Sequence, residues 1–239
     1  MQGISVSRVK LYEECPRKYR YQYIDKLPQK KKSYFILGSF VHKVLERCIR
    51  YIISGDNIKD AMRSAFQHTR QDTPVTDVML QELKPWLRDF MQTWNSDGAV
   101  PMKAEANFNF VLEDRFRVRG IIDRIDRNGD EVHVIDYKTS RSAQRLDEFQ
   151  LAVYGAALRR GRYPKEPIVA WFSMVRFGFK QQKRMLVSDK HIEQALQRLY
   201  DAGEKIEQEQ EWLVNRTFSC QFCDFFQQCF TESPAIAWS

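Results

Sequence analysis

The chain has 239 residues, of which 43% are hydrophobic and 29% charged, a composition typical of a globular protein with a sizeable core. Lysine and arginine outnumber aspartate and glutamate by 38 to 31, and the resulting net charge of +7 favours polyanionic partners, above all nucleic acid. No apolar run reaches the roughly 18–20 residues of a membrane span, and the N-terminus lacks a secretion signal. We therefore expect no membrane association and a cytoplasmic location.

The first hundred residues have the pattern of helices. Helical character extends over 5–23, with an interruption at Cys15-Pro16, and recurs at 35–53, 57–68 and 78–94. Segment 35–53 carries apolar side chains at helical spacing on one face, which predicts a face buried in a core. These side chains are Phe40, Val41, Val44, Leu45, Cys48, Ile49 and Ile52.

Beyond residue 100 the pattern changes to strands. Segments 104–112, 116–125 and 132–139 read as a meander, and Asn128-Gly129 is a strong hairpin signal. A helix over 145–160, strands over 168–175 and 180–187, and a helix over 189–209 follow. The order predicts a single α/β domain, 1–239, with a mixed sheet, a helical part at about 35–97 and a core at about 101–190.

One predicted strand carries the strongest chemical signal of the chain. Asp136 and Lys138 lie two residues apart in 132–139, so both side chains leave the strand on one face. A carboxylate there can hold a hard divalent cation, and a lysine beside it can orient a water or stabilise charge on a phosphate. The other interpretation is an ion pair on a solvated strand edge.

A second carboxylate lies on the preceding strand. If the two strands pair through Asn128-Gly129, Asp123 reaches a depth comparable to that of Asp136. The two acids then share one cation. Asp123 sits in an otherwise apolar stretch, where an unpaired charge is costly.

The cysteines form a second group. Cys220, Cys223 and Cys229 lie within ten residues near the C-terminus, which predicts a metal site, and Cys15 is the natural fourth ligand. We expect a module made of Cys15 and about 210–232. Four thiolates suit either zinc or a [4Fe–4S] cluster, and the spacing does not choose between them. Cys48 lies on the predicted buried helix face and reads as a small hydrophobe.

Together these motifs resemble the PD-(D/E)XK nuclease superfamily in its RecB-like form. Asp123 followed by Asp136-Tyr137-Lys138 matches the signature, and three further motifs follow the family's order along the chain. They are Gly38-Ser39-Phe40-Val41-His42 (Gly-x-x-x-His), Gln150-Leu151-Ala152-Val153-Tyr154 (Gln-x-x-x-Tyr) and the N-terminal helix around Tyr12, Cys15-Pro16 and Tyr19. The resemblance implies a restriction-endonuclease-like mixed central sheet flanked by helices, with a helical insertion.

The resemblance also implies a role for each site residue. His42, Asp123, Asp136 and the backbone carbonyl of Tyr137 would bind Mg²⁺ or Mn²⁺. Lys138 would position the attacking water, and Gln150 and Tyr154 would support the site or the DNA strand. Without the motifs, the histidine, glutamine and tyrosine would read as ordinary packing residues. Glu105 is a weaker candidate to assist from the first strand.

For the cysteines, the resemblance favours iron over zinc. A Cys-Pro near the start with a C-terminal Cys-x2-Cys-x5-Cys is similar to the iron–sulfur nucleases, which include AddB-type helicase–nuclease subunits and the small nucleases of CRISPR adaptation. Cys15, Cys220, Cys223 and Cys229 would then hold a [4Fe–4S] cluster, with Zn²⁺ as the alternative.

The expected activity is exonucleolytic cleavage of single-stranded DNA or DNA ends, in recombination and repair, phage DNA metabolism or CRISPR spacer processing. A helicase or a CRISPR-adaptation protein is an expected partner. The alternative is a non-catalytic DNA-binding or assembly subunit with a structural metal cluster. The expected DNA contacts are Arg17, Arg20, Arg141 and Arg145, while the aromatic side chains near them belong either to the core or to base-stacking surfaces.

Overall fold

The structure, a computed structural model, describes residues 2–29, 33–94, 98–143 and 146–232. The chain divides into two compact units. The first unit comprises Met1–Lys31, Val111–Val118 and Gln197–Ser239, and the second comprises Lys32–Phe110 and Arg119–Leu196.

Eight α-helices and six strands are defined within the described residues. The helices are α1 (Val6–Glu14), α2 (Pro16–Tyr19), α3 (Ser33–Ile53), α4 (Ile58–Asp72), α5 (Asp77–Thr93), α6 (Glu148–Arg160), α7 (Asp189–Gln208) and α8 (Phe226–Glu232). The strands are β1 (Gln2–Ile4), β2 (Val100–Leu112), β3 (Phe116–Asn128), β4 (Glu131–Lys138), β5 (Ile168–Met174) and β6 (Lys180–Leu186). A π-helical turn, Arg20–Ile24, follows α2, and short 3-10 turns lie at Val175–Phe177 and Phe218–Phe222.

The second unit is built on a mixed sheet. Its strands run in the order β3-β4-β5-β6, and β2 also pairs with β3. The β3–β4 and β5–β6 pairs are antiparallel, whereas β4 and β5 are parallel and are connected through α6. Asn128 pairs with Glu131, so Gly129 and Asp130 form a two-residue turn, and Gly129 has a φ of 56°. Glycine adopts this left-handed backbone without a steric penalty.

Helices α3, α4 and α5 cover one face of this sheet. The predicted apolar stripe of α3 is buried against β4 and β5, where it meets Ile135, Tyr137 and Trp171. Cys48 is fully buried within this cluster, and burial raises the pKa of its thiol to about 12. Cys48 is therefore a core residue, as the sequence predicts.

Helix α6 covers the opposite face. Its apolar residues pack against Val132, Val134 and Phe172 on the other side of β4 and β5. The alternation along β4 therefore sends odd-numbered side chains to the α3 side and even-numbered ones to the α6 side. Asp136 and Lys138 are even-numbered, so their side chains lie on the α6 side of β4.

The first unit contains β1, the helices near the N-terminus and the cysteine-rich segment. Strand β1 pairs in parallel with the start of β3, from Gln2 opposite Phe116 to Ile4 opposite Val118. Tyr19 is 2% exposed and stacks on Trp212 with ring centroids 5.9 Å apart, while Tyr21 is 1% exposed and packs against Phe225.

The predicted fold class is confirmed, because the structure has a mixed central sheet with helices on both faces. The predicted helices and strands lie within a few residues of their observed bounds. The core interpretation holds for Tyr19, Tyr21, Trp171 and Phe172, which are at most 5% exposed. No helix among the described residues is long and apolar enough to cross a membrane.

Candidate active site

Helix α3 brings a histidine to a strand carboxylate. Nδ1 of His42 lies 3.6 Å from Oδ1 of Asp123, which is on β3. Gly38 lies one turn before His42, and a Cβ at that position would come within 3.0 Å of Oγ1 of Thr139, just after β4. The absence of a side chain at Gly38 thus lets α3 pack close to the end of β4, which sets the distance from His42 to the strand.

A third side chain completes a cluster of metal-ligand type. Glu105 on β2 joins His42 and Asp123, and one ligand atom from each lies within 4.8 Å of the others. Glu105 has a φ of 48°, which is rare for a non-glycine residue inside a strand. Backbone conformations of this kind are found disproportionately at functional sites.

The electrostatics of this cluster reflect crowded negative charge. Burial, followed by the charges of Asp123 and Glu46, raises the pKa of Glu105 from 4.5 to about 7. Burial alone would lower the pKa of His42, but the hydrogen bond and charge of Asp123 outweigh it, and the net shift is upward. A cation among these groups would relieve the repulsion between the carboxylates.

The second carboxylate belongs to a separate network. Oδ1 of Asp136 accepts hydrogen bonds from Nε2 of Gln150 at 2.8 Å and from the hydroxyl of Tyr154 at 2.9 Å. Oδ2 lies 2.5 Å from Nζ of Lys138, which also donates to Oε1 of Gln150 at 3.1 Å. Asp147 caps α6 by accepting from the backbone N–H of Phe149 at 3.0 Å, and so fixes where the helix that carries Gln150 and Tyr154 begins.

Burial raises the pKa of Asp136, which is 3% exposed, and the nearby charge of Asp123 raises it further. The ammonium group of Lys138 acts in the opposite direction. Burial and the charge of Asp136 likewise raise the pKa of Tyr154 well above its usual value, so its hydroxyl stays a donor.

The two carboxylates are linked through the β3–β4 hairpin. The last β3–β4 ladder pair at this end is Arg124 with Ile135, and Asp123 and Asp136 are each the next residue beyond it. Oδ2 of Asp123 accepts a hydrogen bond from the backbone N–H of Tyr137 at 2.7 Å. The structure therefore brings both acids to one end of the hairpin, although Asp136 is not a member of the three-residue cluster. A shared cation, and a role for the Tyr137 carbonyl, stay predictions.

A buried ion pair supports this hairpin. Arg124 binds Asp126 through two nitrogens, one of them Nε at 2.7 Å from Oδ1, and donates to the Tyr137 hydroxyl at 3.3 Å. Its guanidinium also lies 4.4 Å from the ring centroid of Trp94. These contacts hold Arg124 and Tyr137, which directly follow Asp123 and Asp136 in the chain.

A cleft of about 1130 Å³ opens over the three-residue cluster. His42, Glu105 and Asp123 line it together with Arg141 and Arg176. Nε of Arg176 donates to the carbonyl of Thr139 at 2.7 Å, and Nη1 lies 2.5 Å from Glu82, so this arginine is already engaged. The cleft thus combines metal-ligand groups with cationic side chains.

The predicted DNA-contacting arginines have different environments. Arg141 lines the cleft, whereas Arg17 and Arg20 lie in the first unit. Arg17 donates to the carbonyl of Trp212 at 2.7 Å and to Glu232 at 3.0 Å, and Arg20 pairs with Asp25 at 3.1 Å. Arg145 lies outside the described residues.

The four predicted cluster ligands lie around one small cavity in the first unit. Cys15, Cys220, Cys223 and Cys229 line a space of about 70 Å³, and none forms a disulfide. Burial raises the pKa of the Cys223 and Cys229 thiols, and the neighbouring cysteines add to this effect. No three of these sulfurs lie within 4.8 Å of one another among the described residues.

The site has acidic residues and a lysine on adjacent strands of a mixed sheet, with a supporting helix behind them. This arrangement defines the class of PD-(D/E)XK-type nuclease folds. The sequence-family model of the PD-(D/E)XK nuclease superfamily matches residues 3–230 of this chain. The chain therefore belongs to the PD-(D/E)XK nuclease superfamily.

Curated relatives share this similarity. The chain is 24% identical over 239 residues to an ATP-dependent helicase/deoxyribonuclease subunit of Streptococcus uberis, and the match covers 90% of this chain and 22% of the relative. The Streptococcus pyogenes serotype M6 protein of the same name is 27% identical over 177 residues, or 67% of this chain and 16% of the relative. The chain thus spans about a fifth of the length of these relatives.

A solved structure shares the fold. It comes from Eubacterium rectale, was described as a candidate exonuclease, and aligns with a TM-score of 0.61 at 12% identity. The alignment covers 95% of this chain and 88% of the other. At this identity the match supports the fold alone.

Proposed function

We propose that this chain is a divalent-metal-dependent exonuclease that acts on single-stranded DNA or on DNA ends. The observation that carries the proposal is the position of two groups at one end of the β3–β4 hairpin. One is the cluster of His42, Glu105 and Asp123, and the other is the network that joins Asp136 to Lys138.

The donor set of the cluster suits a hard divalent cation. Mg²⁺ and Mn²⁺ favour carboxylate oxygens, and Mn²⁺ also accepts an imidazole nitrogen. Burial, followed by the nearby charge of Asp123, raises the pKa of Glu105, and a cation bound by His42, Glu105 and Asp123 would offset that charge. When bound, the cation supplies Lewis acidity, which polarises the phosphate and acidifies a water at neutral pH.

The protein's own groups have two further tasks. Lys138, held by Asp136 and Gln150, presents an ammonium group that orients the attacking water and offsets charge on the phosphate oxygens. Tyr154 and Gln150 hold the Asp136 carboxylate in place. Arg141 in the cleft contacts the DNA backbone, because a guanidinium binds phosphate oxygens well.

DNA as the substrate is supported by the net charge of +7 and by relatives whose names include deoxyribonuclease. The names of these relatives also include a helicase, so a helicase partner is part of the proposal. Recombination and repair, phage DNA metabolism and CRISPR spacer processing are the pathways we consider, the last with an adaptation protein as partner. The alternative, a non-catalytic DNA-binding or assembly subunit, is disfavoured because the acids and Lys138 are intact.

We further propose that Cys15, Cys220, Cys223 and Cys229 hold a [4Fe–4S] cluster with a structural role. The four thiols line one cavity, which agrees with a shared bound group. The resemblance of their spacing to that of iron–sulfur nucleases favours iron, with Zn²⁺ as the alternative. A cytoplasmic location, where thiols are kept reduced, is part of this proposal.

We treat residues 1–239 as one functional nuclease domain, because the family match extends over 3–230 and so includes the cysteine segment. Within it, the helical part at about 35–97 and the core at about 101–190 carry the catalytic groups. Cys15 and about 210–232 form the cluster module.

Digestion of 5′- and 3′-end-labelled DNA with Mn²⁺ or Mg²⁺ tests the proposal. We expect metal-dependent release of short products from single strands or duplex ends, and no cleavage of a closed circular duplex. Asp136→Asn and Lys138→Ala should lower this activity by at least about 100-fold while each variant still binds DNA. Equal activity in these variants, or none in the wild type with either metal, would contradict it.

A further inference from the structure

Arg176 connects the end of a strand of the active site to helix α5. It lies in the 3-10 turn after β5, and its side chain is only 15% exposed. Its Nε donates to the backbone carbonyl of Thr139 at 2.7 Å, and its Nη1 lies 2.5 Å from Oε1 of Glu82. The guanidinium carbon lies 4.3 Å from the ring centroid of Trp86, which like Glu82 belongs to α5. One side chain thus joins the end of β4 to α5 through three different contacts.

The carbonyl that Arg176 binds lies where the sheet ceases to hold β4. The last β4–β5 ladder pair is Lys138 with Met174, so Thr139 is the first residue beyond it. A backbone segment past the end of a ladder is fixed only by other contacts. The side chain of Thr139 faces α3, where a Cβ at Gly38 would come within 3.0 Å of Oγ1, and its carbonyl faces Arg176. Arg176 therefore supplies a hydrogen bond at the point where the ladder ends.

The surroundings of Arg176 suit a role in holding this backbone better than a role in binding DNA. The side chain lines the catalytic cleft, where a phosphate would also meet cations. However, the carboxylate of Glu82 offsets its charge, and the ring of Trp86 lies against its guanidinium. A guanidinium attracts phosphate through its charge and its N–H groups, and both are partly committed here.

The consequence falls on Lys138, which directly precedes Thr139. Contacts with Asp136 and Gln150, at 2.5 and 3.1 Å, hold its ammonium group. These contacts fix the tip of the side chain, whereas the position of its Cα depends on the backbone. A misplacement of about 1 Å can cost about 100-fold in rate. The hydrogen bond from Arg176 to the strand end therefore bears on the rate without a contact between Arg176 and the substrate.

We propose that Arg176 is a positioning residue, which fixes the backbone at the end of β4 and through it the ammonium group of Lys138. The inference rests on the proposed nuclease function and adds to it a residue that lies outside the matched sequence motifs. Through Glu82 and Trp86, which orient Arg176, helix α5 also contributes to the active site.

Two substitutions separate the geometry of Arg176 from its charge. Arg176→Lys keeps the charge but lacks the planar fork that meets Thr139 and Glu82 together. Glu82→Gln keeps the shape of the partner but removes its charge, so the guanidinium is less firmly oriented and less neutralised. The matched control is Arg184→Lys. The guanidinium of Arg184 also lies over a tryptophan of the same unit, 4.7 Å from the ring centroid of Trp171, and Arg184 is not among the described residues that line the cleft.

Cleavage and binding are measured separately. Single-turnover cleavage of end-labelled single strands at saturating protein and Mn²⁺ gives the rate of bond breakage, and fluorescence anisotropy in EDTA gives the Kd for the same DNA. Arg176→Lys should lower the cleavage rate about 10- to 100-fold, with a Kd within about twofold of the wild type. Glu82→Gln should lower the rate about threefold, because it loosens the same contact. Arg184→Lys should match the wild type in both measurements.

A phosphate-binding role for Arg176 predicts a different pattern. Glu82→Gln would then tighten DNA binding, because it frees the positive charge, and any loss in Arg176→Lys would lie in Kd. A purely structural role predicts a rate loss only close to the melting temperature, so all rates are measured well below the melting temperature of the least stable variant. A wild-type cleavage rate in Arg176→Lys under these conditions, or tighter DNA binding by Glu82→Gln, overturns the proposal.

Amide hydrogen exchange tests the positioning role without cleavage. The peptide that covers 138–141 should exchange faster in Arg176→Lys than in the wild type, and Arg184→Lys should exchange like the wild type. If the wild type cleaves no DNA with either metal but this difference is present, the nuclease function fails and the anchoring of β4 by Arg176 stands. Metal-dependent cleavage at the wild-type rate in Arg176→Lys, with unchanged exchange, disproves the positioning role and leaves the nuclease function standing.

Discussion

The two groups of candidate ligands differ in how far the protein alone organises them. In the second unit, hydrogen bonds and an ion pair from Lys138, Gln150 and Tyr154 hold Asp136, and the backbone of Tyr137 holds Asp123. In the first unit, four thiols surround a cavity of about 70 Å³, and no three of the described sulfurs lie within 4.8 Å of one another.

This difference predicts two kinds of dependence on metal. The catalytic carboxylates are held by contacts that exist without a cation, so removing the cation should stop the reaction and leave the fold intact. Neighbouring contacts, such as the ion pair of Arg17 with Glu232, bring the cysteines around their cavity, and we expect the bound group to add a cross-link between the thiols themselves. Substitutions in the catalytic site should therefore mainly lower the activity, whereas substitutions in the cysteine module should mainly lower the stability.

Replacing Asp123 by Asn should have the largest effect, because the amide keeps an oxygen that can accept from the Tyr137 N–H but lacks the negative charge that binds the cation. We expect Asp123→Asn to lower kcat/KM by about 10³-fold, the upper range for loss of one electrostatic group in an active site. Mn²⁺ affinity, measured by titration calorimetry, should fall as well. The control is Asp130→Asn in the exposed hairpin turn, and a similar loss in that variant would contradict the account.

The cysteine module should show its effect in stability. Linking Cys15 to Cys220 closes a loop of about 205 residues, and crosslinks of this kind typically contribute about 2–4 kcal/mol. We therefore expect Cys223→Ala to lower the melting temperature and the iron content of anaerobically purified protein together.

The control for this experiment is Cys48→Ala, which removes a cysteine that is buried in the core of the second unit. Its iron content should equal that of the wild type even if its stability falls. Zinc in place of iron would correct the identity of the bound group. Full metal content in Cys223→Ala would contradict the ligand assignment.

Glu105→Gln should stabilise the metal-free protein at alkaline pH. The pKa of Glu105 is about 7 in the folded protein and 4.5 in the reference state. Between these values the folded state holds a proton that the unfolded state has released, so stability falls as pH rises from about 4.5 to about 7. The side chain is only partly buried, so we expect a gain of only about 1 kcal/mol, or about 2–4 °C, at pH 8.

The same variant should respond less to metal. Mn²⁺ should raise the melting temperature of the wild type more than that of Glu105→Gln, because binding to the folded state stabilises it. If the variant and the wild type have the same melting temperature at pH 8 and the same response to Mn²⁺, Glu105 does not belong to the cation site.

Gly38→Ala should have the smallest effect. Its Cβ would lie 3.0 Å from Oγ1 of Thr139, so α3 must shift by a few tenths of an ångström. We expect kcat/KM to fall about threefold, since displacements of about 1 Å can cost 100-fold. The double variant Gly38→Ala/Thr139→Ala should recover the rate. A loss that the second substitution leaves unchanged would show that the approach of α3 to Thr139 is not the cause.

Much of the fold could be predicted because its patterns are local. The apolar stripe of α3 has helical spacing, and the turn after Asn128 connects two alternating segments. No local pattern indicated the π-helical turn Arg20–Ile24 or the start of β2 at Val100, four residues before the predicted start. Both depend on packing between residues that are distant in the chain.

The candidate site shows the same limit. Motifs marked Asp123, Asp136, Lys138, Gln150 and Tyr154, whereas Glu105 had little support from the sequence. Glu105 alternates with the buried Ala104 and Ala106, so its side of β2 resembled a solvent face. The packing of α3 brings His42 to the side of β2 that carries Glu105. The left-handed φ of Glu105 is a feature of the folded backbone. No periodicity in the sequence encodes either feature.

The central claim is that one catalytic cation binds at His42, Glu105 and Asp123. Anomalous diffraction from crystals soaked in Mn²⁺ tests it most directly, because manganese gives a peak at its own position. We predict a peak within bonding distance of these three side chains, with Lys138 still in contact with Asp136. A peak that none of the three side chains coordinates, or no peak in that cleft at saturating Mn²⁺, would contradict the account.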